Sequence, residues 1–145
     1  MAAGRVKGYL LAGVMAAVLA GCASEPKQAE DCGRFSAYLE PPASENLYRA
    51  LVTHIDGKPV ISQPNYKLAP GRYTLTLVEL IHAPGMDVPL NARKTKTLSL
   101  DLKTGERLHL AAKYLPEGQG EGFWEPVVWQ TDKARCVLPK VLVNQ

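Results

Sequence analysis

The stretch RYTLTLVELI, residues 72–81, decides the fold class. In an extended chain successive side chains point to opposite faces, so Tyr73, Leu75, Leu77 and Ile81 share one face while Thr74 and Thr76 take the other. The same alternation returns in KTLSLDL, residues 96–102, where Leu98, Leu100 and Leu102 oppose Thr97, Ser99 and Asp101. It returns again in RLHLAAKYL, residues 107–115, where Leu108, Leu110, Ala112 and Tyr114 oppose Arg107, His109 and Lys113. One apolar and one polar face mark half-buried antiparallel strands. Asp56-Gly57, Pro70-Gly71 and Thr104-Gly105 supply residues that tolerate tight turns between them. Further strands are expected over 47–55, 58–62, 125–130 and 136–143. About seven short strands with turns at intervals of roughly ten residues predict an all-β chain, a small antiparallel β-sandwich.

The first residues follow different rules. Arg5 and Lys7 precede the apolar run YLLAGVMAAVLA, residues 9–20, and no charge follows until Glu25. A basic start, a short apolar centre and a small-residue end make the layout of a secretory signal peptide. A membrane-spanning helix needs about 20 predominantly apolar residues, and this run is shorter and rich in Ala and Gly. At its end, Leu19-Ala20-Gly21-Cys22 resembles the lipobox of bacterial lipoproteins at all four positions. The resemblance implies that Cys22 carries a diacylglycerol, that cleavage falls just before it, and that the new amino group is acylated. Two or more acyl chains, at about 0.8 kcal/mol per buried methylene, make a stable membrane anchor. Ala23-Ser24 follow the anchor in place of the Asp that tends to hold enterobacterial lipoproteins at the inner membrane. The expected location is therefore the outer membrane of a Gram-negative host, facing the periplasm.

This reading divides the chain into a signal peptide over 1–21, a lipid-anchored tether over 22–45 and a β-sandwich domain over 46–145. ASEPKQAED, residues 23–31, is polar and contains proline, as a short tether would. Removing the signal also removes Arg5 and Lys7, so the formal charge of +3 falls to 15 basic against 14 acidic side chains. With that near balance, and no run of Lys and Arg interleaved with aromatics, nucleic acid is not an expected partner.

Three cysteines are an odd number for an exported protein. Committing Cys22 to lipid leaves Cys32 and Cys136, with one possible connectivity, and an oxidising periplasm lets such a pair persist as a disulfide. Two separate buried thiols are the other reading. No Cys-x-x-Cys is present, and His54, His82 and His109 show no metal-ligand spacing, so no cofactor or metal is expected.

YKLAPGRYTLTLVEL followed by TKTLSLDLKTGERLHLAAKYL resembles the Pro-Gly turn and strand pairs of PEGA-type and transthyretin-like domains of bacterial lipoproteins. The resemblance covers about half of the mature chain. It implies a β-sandwich and says little about activity.

Two stretches stand out as candidate contact surfaces. GFWEPVVWQ, residues 122–130, holds Trp124 and Trp129, either of which would stack on a sugar ring if exposed. Strict alternation places Phe123, Glu125, Val127 and Trp129 on one face and Trp124, Pro126, Val128 and Gln130 on the other, so one indole is expected in the core and one at a rim. The loop HAPGMDVPLNARKTK, residues 82–96, ends in Arg93, Lys94 and Lys96, a possible contact for an anionic partner. His109 is expected to be exposed between Arg107 and Lys113. His54 has Asp56 two residues on, but no nucleophile stands in a recognisable motif. The function expected is therefore non-enzymatic: a lipid-anchored domain that binds another envelope protein, or alternatively a glycan such as peptidoglycan through an exposed Trp.

Overall fold

The structure, a computed structural model, describes residues 28–139. The expected signal peptide, Cys22 with its lipid, and the end of the strand expected over 136–143 lie outside the described residues.

Among the described residues nine strands form two sheets: β1 (Gly33–Ser36), β2 (Leu47–Tyr48), β3 (Ala50–Ile55), β4 (Lys58–Pro59), β5 (Tyr66–Leu68), β6 (Gly71–Glu79), β7 (Lys96–Leu102), β8 (Glu106–Tyr114) and β9 (Trp124–Lys133). One sheet has the order β4-β3-β6-β7 and is antiparallel throughout. In the other, β9 pairs with β8 along its whole length, from Glu106↔Lys133 to Tyr114↔Trp124. That leaves one side of β8 for both β1, against Arg107 to His109, and β2, against Ala112 and Lys113. The outer strand beyond β1 is β5. The fold is the all-β sandwich that the alternation predicts, except that β1 runs parallel to β8.

The apolar faces of the three alternating stretches make the core. Leu75, Leu77, Leu100, Leu102, Leu108, Leu110 and Ala112 are all buried, packed with Phe35, Tyr66 and Trp124. Each large side chain taken out of water in this way contributes about 1.5–3 kcal/mol. Turn chemistry follows the sequence where it matters. Asp56 (φ 50°) and Gly57 (φ 79°) join β3 to β4, both at the positive φ of a tight hairpin turn. Asp56 Oδ1 also accepts the Thr74 amide at 2.8 Å, which ties the turn to β6.

Two boundaries differ from expectation. The stretch assigned to the tether contains β1, and Phe35 is fully buried in stacked contact with Tyr66, their centroids 5.0 Å apart. Four residues are too few to display a period, which hid the strand. Gly33 is needed there: a Cβ would lie 2.4 Å from the Lys103 carbonyl oxygen. Conversely, Cys136 to Pro139 form no strand. They turn back along the chain's entry, the Asp31 amide bonding Cys136 O at 3.2 Å and the Leu138 amide bonding Asp31 Oδ1 at 2.7 Å. Between these segments Cys32 and Cys136 form a disulfide with Cα atoms 5.2 Å apart.

The sandwich thus has two unlike ends. At the disulfide end the described chain enters and leaves, beside the turn Lys103–Gly105, whose Gly105 amide bonds Cys32 O at 2.9 Å. At the other end three connections emerge: residues 37–46 from β1 to β2, 80–95 from β6 to β7, and 115–123 from β8 to β9.

Candidate functional site

The loop end collects what the core does not absorb. Six large hydrophobic side chains are exposed among the described residues, and four of them, Tyr38, Leu39, Leu80 and Leu90, belong to these loops. Tyr38 and Leu80 are both held by Arg49. The Arg49 guanidinium lies over the Tyr38 ring at 5.1 Å, and the Arg49 carbonyl accepts the Leu80 amide at 2.9 Å. Glu79, at the last position of β6, is 7% exposed. Its carboxylate accepts Ile81 N at 2.7 Å, Arg93 Nε at 2.6 Å and Arg93 Nη2 at 2.8 Å. Arg93 Nη2 donates also to Ile81 O at 2.8 Å. A planar guanidinium matched to a carboxylate fixes direction as well as distance, so the loop carrying Leu90 is latched to the end of β6. The fork with Glu79 raises the Arg93 pKa further.

The basic residues expected as a contact for anions also bond within the chain. Arg93 is latched to Glu79, and Lys94 pairs with Glu121 at 3.1 Å, both exposed. Lys96 Nζ donates to the Trp124 carbonyl at 2.5 Å and stands 5.5 Å from the Trp124 ring centroid, linking β7 to β9. That carbonyl faces away from β8. By the two-residue repeat of a strand Pro126, which has no N–H, faces the same way. A lysine, a proline and a bulge thus occupy the outer edge of β9, devices that discourage strand addition.

The two tryptophans separate. Trp124 is fully buried. Phe123 closes a short 3-10 turn (Gly120–Phe123) just before the strand, so both neighbours enter the core. Trp129 is half-buried and falls at a register shift between His109↔Gln130 and Leu110↔Val128, where it has no cross-strand partner. The bulge sets its ring 6.2 Å from the His109 ring on the outer face of β8. His109 is not exposed as expected but 5% exposed, because β8 is flanked on both sides and Trp129 and Asp132 stand against its outer face. His109 Nε2 lies 3.0 Å from Asp132 Oδ2, and Arg107 donates to both Asp132 oxygens at 3.0 Å. The Arg107 fork, then His109, holds the Asp132 carboxyl down at about 2. His54 does not meet Asp56; its Nδ1 lies 2.9 Å from Thr53 Oγ1.

A cleft of about 710 Å³ opens at the disulfide end between Lys103–Glu106 and Thr131–Arg135. Its charges are mixed in sign, and Asp132 and Arg135 are already bonded to Arg107 and to Gln28 O. Among the described residues no group of His, Cys, Asp and Glu is placed to hold a metal ion.

Sequence reasoning missed the apolar loop residues, although two left a trace. Leu80 breaks the alternation of 72–81 by placing an apolar side chain on the polar face, and Leu90 stands between Pro89 and Asn91 with no periodic neighbour. The fold and site define a two-sheet β-sandwich with an apolar loop end. The chain matches no family model, no curated protein and no solved structure.

Proposed function

We propose that the chain is a non-enzymatic, lipid-anchored envelope protein of the outer membrane whose β-sandwich docks through its loop end onto another envelope protein. The observation that carries this reading is the placement of Tyr38, Leu39, Leu80 and Leu90 opposite the disulfide end, where the described chain begins. A tether leaving from the disulfide end would hold the opposite end outward from the bilayer. Confinement near the membrane raises the effective concentration for neighbouring proteins without any new contact. Exposed apolar side chains gathered at one end suit a contact surface better than a solvated tip. The disulfide supports an exported chain, since such bridges persist in oxidising compartments.

Photo-crosslinking in the host cells tests this. A photoreactive residue at Leu90 should give a discrete protein adduct, and one at Arg72, near the disulfide end, should not. Adducts from both positions alike, or from neither, would refute it. The glycan reading rests on Trp129 alone, half-buried beside the Arg107–Asp132–His109 group, since Trp124 has no exposed surface to offer.

A further inference from the structure

The apolar loop end has an acidic surround, and from it we infer the chemistry of the partner: a protein segment with apolar side chains flanked by Lys and Arg. This rests on the docking reading above and specifies what the dock selects. The three loops carry Glu40, Glu45, Asp87, Glu117 and Glu121 against only Arg93 and Lys94. Both cations are already matched, Arg93 to the buried Glu79 and Lys94 to Glu121. Glu40, Glu45, Asp87 and Glu117 are exposed and form no salt bridge among the described residues. The four carboxylates are spread over all three loops, two of which carry the four exposed apolar side chains. At the adjoining strand ends the cations are Arg49, held over the Tyr38 ring, and the exposed Lys113, so free carboxylates outnumber free cations at this end. Like-signed charge in this arrangement steers an oppositely charged surface and rejects a like one.

The acidic surround also excludes other occupants. Anionic head groups repel this end, which directs it away from a bilayer. A second copy cannot dock loop end to loop end without opposing carboxylates. The disulfide end differs: Lys67, Arg72, Lys103, Lys133 and Arg135 are exposed there alongside Glu30, Asp31 and Asp101, with Glu106 and Asp132 half-buried. The two ends of the sandwich therefore differ, one acidic and apolar, the other mixed in charge.

The test uses the full chain in its host, with the photoreactive residue at Leu90 and the crosslinked partner peptide sequenced. Two variants are compared, both confirmed to keep the disulfide and the unfolding temperature. One neutralises the surround (E40Q, E45Q, D87N, E117Q) and the other removes apolar contact (Leu39→Ser with Leu80→Ser). The expected result is a partner peptide with Lys or Arg beside apolar residues, and an adduct yield reduced about ten-fold by the neutralised variant. Adduct lost with Leu39→Ser and Leu80→Ser but undiminished in the neutralised variant would overturn the charge inference and leave docking intact. An adduct indifferent to both variants, no adduct, or an adduct with a second copy of this chain would overturn both.

Discussion

Cys32 and Cys136, separated by 104 positions in sequence, hold their Cα atoms 5.2 Å apart with both side chains fully buried. The bridge closes nearly the whole described chain into one loop at the end where it enters. Its removal frees the unfolded chain far more than it loosens the folded one. Cys32→Ser with Cys136→Ser should lower unfolding free energy by about 4–5 kcal/mol in the chain-entropy account, read from urea midpoints. Intact mass should rise on reduction by the two hydrogens a disulfide lacks.

The Glu79–Arg93 fork latches the loop that bears Leu90. Arg93→Ala leaves a carboxylate that is almost fully buried without its partner. Breaking a buried pair costs about 3–5 kcal/mol, but the Arg93 side chain is 27% exposed and water can reach the gap. A loss of about 2 kcal/mol is expected by urea denaturation, together with faster amide exchange at Ile81. Replacing both partners (Glu79→Gln with Arg93→Met) should cost less than Arg93→Ala alone.

Asp132 supplies a pH dependence with a defined sign. Its carboxyl sits at about 2 in the folded chain against an ordinary 3.8. The unfolded chain therefore takes up this proton first as the pH falls. Its contribution is fully present above the ordinary value and is lost as the pH drops through about 2. Thermal unfolding of Asp132→Asn and of the parent should differ by a constant amount at neutral pH and converge across this acidic window.

The tryptophans should report different surroundings. In Trp129→Phe the remaining indole, Trp124, should resist acrylamide quenching. In Trp124→Phe, Trp129 should be quenched in part. Trp124→Ala should cost about 3–5 kcal/mol, as large core deletions do, and Trp129→Ala distinctly less.

Much of the fold was legible because its core strands are long enough to show a period. Leu75, Leu77, Leu100, Leu102, Leu108 and Leu110 all take the buried face that alternation assigns them. Three features were hidden by locality. Phe35 lies in a four-residue strand that has meaning only beside β8 and β5. The bulge at Trp129 is set by the register with β8, which no property of 122–130 reveals. Glu79 and Arg93 are fourteen residues apart in sequence, so a loop read as basic and available is in fact latched. The apolar loop end was the least legible part, because Tyr38, Leu39, Leu80 and Leu90 reach one end only when the connections 37–46 and 80–95 leave the same end of the sandwich.

The proposed lipid anchor at Cys22 is checked by the intact mass of the protein extracted from host membranes. The expected species is a chain beginning at Cys22, without residues 1–21, carrying the added mass of a diacylglycerol and an amide-linked acyl chain and retaining the Cys32–Cys136 bridge. A chain that keeps residues 1–21, or one that begins elsewhere with Cys22 unmodified, would contradict it.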